Sequence, residues 1–252
     1  MDVWLVPLIG DPPAGLGGDW NSILSSDEQA RAARFRFDAD RTRWIRARTA
    51  LRVILSGCTG SPPHEICFEL GRHGKPALAG GGPLEFNLSH SGDWAMVAVA
   101  QGVPVGIDIE RIREDLDMRA LLRRLGDPAG AVEAQDPPAA SDSAGTIHNA
   151  ARSDPKRVYT AAFVHEQSRQ SSPLHACSTN EAGSPQARLF AAWTRREAMS
   201  KALGGALMEP PTGDFRVCDL EAPTGYVGAL ALIGQNPRVG RHNGLVPSIG
   251  TQ

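Results

Sequence analysis

The stretch from Phe86 to Arg113, FNLSHSGDWAMVAVAQGVPVGIDIERIR, constrains the chain more than any other, because it sets polar side chains between segments that read as strands. Phe86–Leu88 is a short strand ending in Ser89-His90-Ser91-Gly92, and Trp94–Ala100 is a run of apolar and small residues of strand length. Gly102 and Pro104 supply a turn, after which Val105–Glu110 alternates. Val105, Ile107 and Ile109 face one way, and Gly106, Asp108 and Glu110 the other. Two carboxylates therefore share a face. Side chains two apart on a strand can hold one hard cation between them, and carboxylate oxygens are what Mg²⁺ takes when phosphate supplies the remaining ligands. A half-buried strand whose polar face is merely solvated fits the same pattern, and a D-x-E alone does not separate the two.

At 252 residues the chain can bury a sizeable core, as one large domain or two small ones. Its 26 basic and 28 acidic residues leave a net charge of −2, so nothing global draws it to nucleic acid or to an anionic membrane, and any anion site must be local. No apolar run reaches membrane-span length and the start, MDVWLVPLIGDPP, lacks a basic n-region, so the expectation is a cytoplasmic protein that binds neither nucleic acid nor membrane. Cys58, Cys67, Cys177 and Cys218 form no C-x-x-C pair and the histidines no H-E-x-x-H spacing, which leaves no zinc or redox motif to read.

Along the chain, Val3–Leu8 is a short strand stopped by the Gly/Pro cluster of Gly10–Gly18. Ser26 or Asp27 caps a helix running towards Phe35, and a second helix spans Asp40–Leu55, with Trp44, Ala47, Leu51 and Ile54 or Leu55 on one buried stripe and Gly57 at its end. Arg31, Arg34, Arg36, Arg41, Arg43, Arg46, Arg48 and Arg52 crowd this region; most suit a solvated helix face, although a guanidinium fork is also the natural clamp for a phosphate. His73-Gly74-Lys75-Pro76 is a turn from which Lys75 projects. Ser89 and His90 offer donors at a strand end, where they and free backbone N–H groups can converge on an anion, and no acid is placed to suggest a hydrolase triad. Ala187–Leu203 is the best helix, with Leu189, Phe190, Trp193 and Ala198 as core candidates and Gly204-Gly205 as its cap. Glu197 and Lys201 share one of its faces, a spacing that a plain surface pair worth about 0.3 kcal/mol would also show. Met208–Asp214 is a loop, and Tyr226–Ile233 is a final strand much like Trp94–Ala100. Between them, Asp127–Gln186 is dominated by Pro, Ala, Ser, Gly, Asn and Gln, with hydrophobic periodicity only around Val158–Val164, and is expected to be a flexible insertion. The tail from Asn236 is expected to be disordered.

Three pieces in this order, FNLSHSGDWAMVA, VGIDIERI and WTRREAMSKALGGAL at Trp193–Leu207, with HGKPAL at His73–Leu78 ahead of them, resemble the broad-specificity 4′-phosphopantetheinyl transferases that activate peptide and polyketide synthetases. The resemblance covers residues 1 to about 125 and 187 to 235. It implies an α+β fold of two similar α/β halves in a pseudo-two-fold arrangement with the site at their interface. Residues 1–104 would form the coenzyme A-binding half, and 105–235 the half with the metal and catalytic residues, interrupted at about 127–186 and followed by a tail at 236–252. Arg43, matched by its spacing to Arg52, would meet the 3′-phosphate of coenzyme A, with Arg48 as the neighbouring candidate and Arg31 and Arg34 as helpers. Lys75 and Pro76 would line the nucleotide end, and Ser89 and His90 would bind phosphates. Asp108 and Glu110 would hold Mg²⁺, Glu197 would be a third ligand or the general base, and Lys201 would steady the transferring phosphate. Arg196 stands where the motif usually has lysine. The implied reaction moves 4′-phosphopantetheine from coenzyme A to a serine of an acyl or peptidyl carrier protein, releasing adenosine 3′,5′-bisphosphate, and the protein acting on these partners is expected to be a monomer. A non-catalytic coenzyme A or carrier-binding homologue and a metal-dependent phosphodiesterase remain the alternatives.

Overall fold

The computed structural model describes residues 1–10, 20–126, 158–160, 184–205 and 211–234. Most of the Gly/Pro cluster after Gly10, most of the 127–186 insertion, the start of the Met208–Asp214 loop and the tail from Asn236 lie outside the described residues.

The fold is α+β. One sheet has the order β4-β5-β1-β7, with β1 (Asp2–Pro7), β4 (Leu84–Ser91), β5 (Trp94–Gln101) and β7 (Val158–Thr160). β4 and β5 form a hairpin, β1 runs antiparallel to β5 from Asp2↔Val99 to Pro7↔Trp94, and β7 lies parallel to β1. β7 falls within the stretch around Val158–Val164 where the insertion keeps hydrophobic periodicity, and the backbone of β1 finds its second partner there.

One long helix covers this sheet, and a short one packs on that helix. α1 (Ser26–Ala32) is capped by Ser25 rather than by Ser26 or Asp27, since only Ser25 has Glu28 at the third helical position to complete a reciprocal box: the Glu28 N–H donates to Ser25 Oγ at 3.3 Å and the Ser25 N–H to Glu28 Oε2 at 3.0 Å. α2 (Asp38–Thr59) runs past Gly57 and ends at Gly60, which takes the left-handed conformation at φ 78°. A mid-helix glycine costs only about 1 kcal/mol, which the packing of Leu51 and Leu55 against Ile66, Phe86, Val97 and Val99 outweighs. Arg52 departs from the solvated-face reading. It is 1% exposed, donates to Glu28 Oε2 at 2.6 Å and to the carbonyls of Pro63 and Ile66 at 2.9 and 2.8 Å, and so ties α1, α2 and the following loop together.

A second sheet has the order β6-β9-β8, all antiparallel, with β6 (Val105–Arg111), β8 (Phe215–Leu220) and β9 (Tyr226–Ile233). A small hairpin of β2 (Phe68–Leu70) and β3 (Pro76–Leu78), whose Phe68 and Leu78 pack against the cluster of Leu51, Leu55 and Phe86, carries the HGKPAL turn. α3 (Met118–Arg124), absent from the sequence expectation, buries Met118 and Leu122 against Leu189, Phe190 and Ala192. Those three belong to α4 (Pro185–Leu203), which starts with Ser184 as N-cap and proline at its first position, two residues before the expected start, and ends at Gly204. The two sheets share one core, in which Val3, Met96, Ala98 and Ala100 pack with Val105, Ile107, Ile109, Leu230 and Leu232.

Candidate active site

β6 is buried on both faces from Val105 to Ile109, so the solvated-face reading of the D-x-E pair is replaced by a covered one, with Asp108 only 1% exposed. The cover is α4, and a glycine admits it. A Cβ on Gly106 would run into the carbonyl oxygen of Ala198 and the amide nitrogen of Ala202, so only glycine lets the helix backbone lie on the strand. Two residues further along the same face, Asp108 then meets the α4 side chains one turn apart.

Lys201 Nζ donates to Asp108 Oδ1 at 2.6 Å and to Ser89 Oγ at 3.1 Å, and stands 3.9 Å from Glu197 Oε2. Ser89 Oγ in turn donates to Asp108 Oδ1 at 2.8 Å. One residue pair further on, Ser91 Oγ donates to Glu110 Oε2 at 2.8 Å. Ser89, Asp108, Glu197 and Lys201 are thus brought together, with Glu110 beside them. Burial pushes the Glu197 carboxyl up to about 7; the charges of Asp108 and Glu110 add to this, and those of Lys201 and Arg196 only partly offset it. Burial also pushes Asp108 upward, against the pull of Lys201 and Ser89. His90, on β4 next to Ser89, is held below the usual imidazole range by burial and by the charge of Lys201.

The remaining expected residues are placed differently. Lys75 does not project into solvent: its Nζ reaches inward to donate to the carbonyls of Val105 and Ala202, at 3.1 and 3.2 Å, because the start of β6 and the last turn of α4 present unpaired carbonyls there. Burial lowers its proton affinity. Pro76 begins β3 beside it. Arg43, on α2, donates through Nε and Nη2 to Asp93 Oδ1 at 3.0 and 2.8 Å and through Nη1 to Asp40 at 3.4 Å. Arg48 is committed to an ion pair with Glu28 at 2.6 Å and lies over the Phe68 ring, while Arg31 lies over Trp44. Arg31 and exposed Arg34 line an open groove with Asp27, Ala30 and Phe35. Arg196 is 5% exposed, and its buried Nε and Nη2 have no hydrogen-bond partner among the described residues.

Sequence reasoning missed three contributors. Asp93 orients Arg43, and its own N–H donates to the hydroxyl of Tyr226 at 3.1 Å, which joins the β4–β5 turn to β9. Ser91 fixes Glu110. The spacing of Asn87, Ser89 and Ser91 by twos was the available signal for the last; nothing local marks Asp93 or Tyr226.

Whether these residues suit a divalent cation is decided by Asp108 and Glu197. Among the described residues nothing donates a hydrogen bond to the buried Asp108 Oδ2, and Glu197 is driven towards protonation by burial and by the charges of Asp108 and Glu110, so the cluster has more carboxylate than its cations compensate. Hard oxygen donors in that condition fit Mg²⁺. Among the described residues no three His, Cys, Asp or Glu side chains stand together as a metal-holding group. Among the described residues, no helix is long and apolar enough to cross a membrane.

Residues 19–102 match the family model described as 4′-phosphopantetheinyl transferase, N-terminal. The chain is 40% identical over 128 residues to the 4′-phosphopantetheinyl transferase HetI of a Nostoc species, covering 50% of this chain and 53% of that protein. It is 41% identical over 91 residues to the 4′-phosphopantetheinyl transferase psf-1 of Bacillus pumilus, covering 36% of this chain and 39% of that one. To the 4′-phosphopantetheinyl transferase AcpT of Salmonella typhimurium it is 43% identical over 81 residues, 32% of this chain and 38% of that protein. The chain spans about half, or less, of the length of these curated relatives. Over the matched residues, which include the strand that carries Ser89 and His90, the chain is similar to 4′-phosphopantetheinyl transferases.

Proposed function

We propose that the chain is an enzyme that transfers 4′-phosphopantetheine from coenzyme A to a serine of an acyl or peptidyl carrier protein, releasing adenosine 3′,5′-bisphosphate. The observation that carries this reading is the convergence of Lys201, Glu197 and Asp108 where α4 crosses β6. A buried acid cluster with one ammonium suits a reaction that moves negative charge between phosphate oxygens.

In this reading the carrier serine Oγ attacks the phosphorus that bears the pantetheine arm. A new P–O bond forms, the bridging P–O bond breaks, and its electron pair leaves with the adenosine bisphosphate. Glu197 takes the serine proton, a role that its raised proton affinity supports over a purely ligating one. Asp108 and Glu110 would hold Mg²⁺, which when bound neutralises pyrophosphate charge. Lys201 moves from Asp108 to the charge that develops on the transferring group. Arg43 exchanges Asp93 for the 3′-phosphate, Lys75 exchanges carbonyls for the nucleotide end alongside Pro76, and Ser89 and His90 donate to phosphate oxygens. Arg48 acts indirectly, holding α1 to α2 near Arg43.

Incubating the protein with coenzyme A, Mg²⁺ and an apo carrier tests the proposal by intact mass. A carrier heavier by one phosphopantetheine is expected. Coenzyme A binding without a mass gain would point to a binding homologue, and coenzyme A cleavage without carrier to a phosphodiesterase.

A further inference from the structure

β4 and β6 are not hydrogen-bonded sheet neighbours, since β4 pairs with β5 and β6 with β9. Alternate side chains of β4 nonetheless fasten it to β6. The Ile107 N–H donates to Asn87 Oδ1 at 2.9 Å, Ser89 Oγ donates to Asp108 Oδ1 at 2.8 Å, and Ser91 Oγ donates to Glu110 Oε2 at 2.8 Å. The shared period of two sets this match, serine to carboxylate twice over.

Ser91 differs from Ser89 in what directs its proton. Ser89 Oγ also receives Lys201, a flexible side chain, whereas Ser91 Oγ accepts the Arg111 backbone N–H at 3.1 Å, a fixed donor on the strand itself. With that lone pair occupied by rigid backbone, the hydroxyl proton is directed at Glu110. Glu110 is half-buried and, among the described residues, its carboxylate accepts no other hydrogen bond. One oxygen is therefore anchored and the other is left to coordinate.

We infer that Ser91 is a positioning residue that holds the Glu110 carboxylate in the orientation needed to bind a divalent cation. The inference rests on the Mg²⁺ part of the proposed function. Groups that orient a metal-ligating carboxylate commonly matter about tenfold or more for metal affinity.

Binding of Mn²⁺ as the probe, followed through the spin resonance of the free ion with the protein saturated in coenzyme A, reads this without turnover. Ser91→Ala should weaken Mn²⁺ binding by about tenfold, while coenzyme A affinity in chelator stays unchanged. Ser91→Thr keeps the hydroxyl and should bind like wild type, and the isosteric Ser91→Val should behave like Ser91→Ala, so this pair decides the matter if the alanine variant fails to fold. In a Glu110→Gln background Ser91→Ala should have no further effect. Equal Mn²⁺ affinity in Ser91→Thr and Ser91→Val, or a loss that persists in full in the Glu110→Gln background, overturns the positioning role. Wild-type protein that binds no Mn²⁺ with coenzyme A present overturns the cation reading itself, and this is seen before any substitution is compared.

Discussion

Gly106 faces the backbone of Ala198 so closely that no side chain fits between them. This contact sets the height of α4 above β6, and with it the distance from Lys201 and Glu197 to Asp108. The V-G-I-D-I-E sequence is therefore one device, in which the glycine seats the helix that the aspartate then engages.

Gly106→Ala should destabilise the protein by about 3 kcal/mol, because the clash is with backbone and cannot be relieved by a rotamer change. A thermal melt and turnover at a permissive temperature should both report it, since any fold that survives must lift α4. A variant within about 0.5 kcal/mol of wild type would mean that the helix is seated by other contacts.

Lys201 neutralises the carboxylate of Asp108 from its Oδ1 side, and a cation held by the same carboxylate would compete with it for that charge. Lys201→Met should then tighten Mn²⁺ binding in the absence of coenzyme A, by about tenfold or ~1.4 kcal/mol, while turnover falls. Weaker Mn²⁺ binding in Lys201→Met would mean that the ammonium helps to assemble the cation site.

The acid cluster also sets a pH dependence. Glu197 titrates near 4.5 when unfolded and at about 7 in the fold, so the folded state holds its proton longer. Stability in chelator should fall as pH rises from about 4.5 to about 7 and then level off, with Asp108 acting in the same direction and His90, whose imidazole is pushed down, acting in the opposite one. The difference in melting temperature between wild type and Glu197→Gln isolates the first effect. A difference that stays flat across that window would show that Glu197 is ionised normally.

Arg52→Ala should cost about 3 kcal/mol by urea denaturation, since it removes a buried cation from Glu28 and leaves two carbonyls without a donor. A loss below about 1 kcal/mol would mean that Arg48 and water replace it fully.

Much of this was legible in the sequence because the relevant signals are local. The alternation around Asp108 and the i,i+4 spacing of Glu197 and Lys201 depend only on strand and helix periods, and both hold in the structure. What failed depended on tertiary partners. Gly57 carries the residue type of a helix end, but Leu55 was already committed to the core and the chain waited until Gly60 to turn. Lys75 has the pattern of an exposed turn, yet carbonyls from two distant elements draw it inward. Arg52 looks like its seven arginine neighbours and differs only because Glu28 and the Pro63 and Ile66 carbonyls surround it. α3 is too short for periodicity to declare it, and is fixed by the apolar face of α4.

Asp108 should serve the transfer step more than the capture of coenzyme A. The most direct measurement follows the intact mass of an apo carrier over time with wild type and Asp108→Asn, beside coenzyme A binding by calorimetry in chelator. Asparagine keeps the size of the side chain and removes its charge. In Asp108→Asn, kcat should fall by about a hundredfold or more, ~2.7 kcal/mol in transition-state stabilisation, with coenzyme A affinity changed by less than about threefold. An Asp108→Asn protein that loads the carrier at the wild-type rate would contradict this and remove the D-x-E pair from the chemistry.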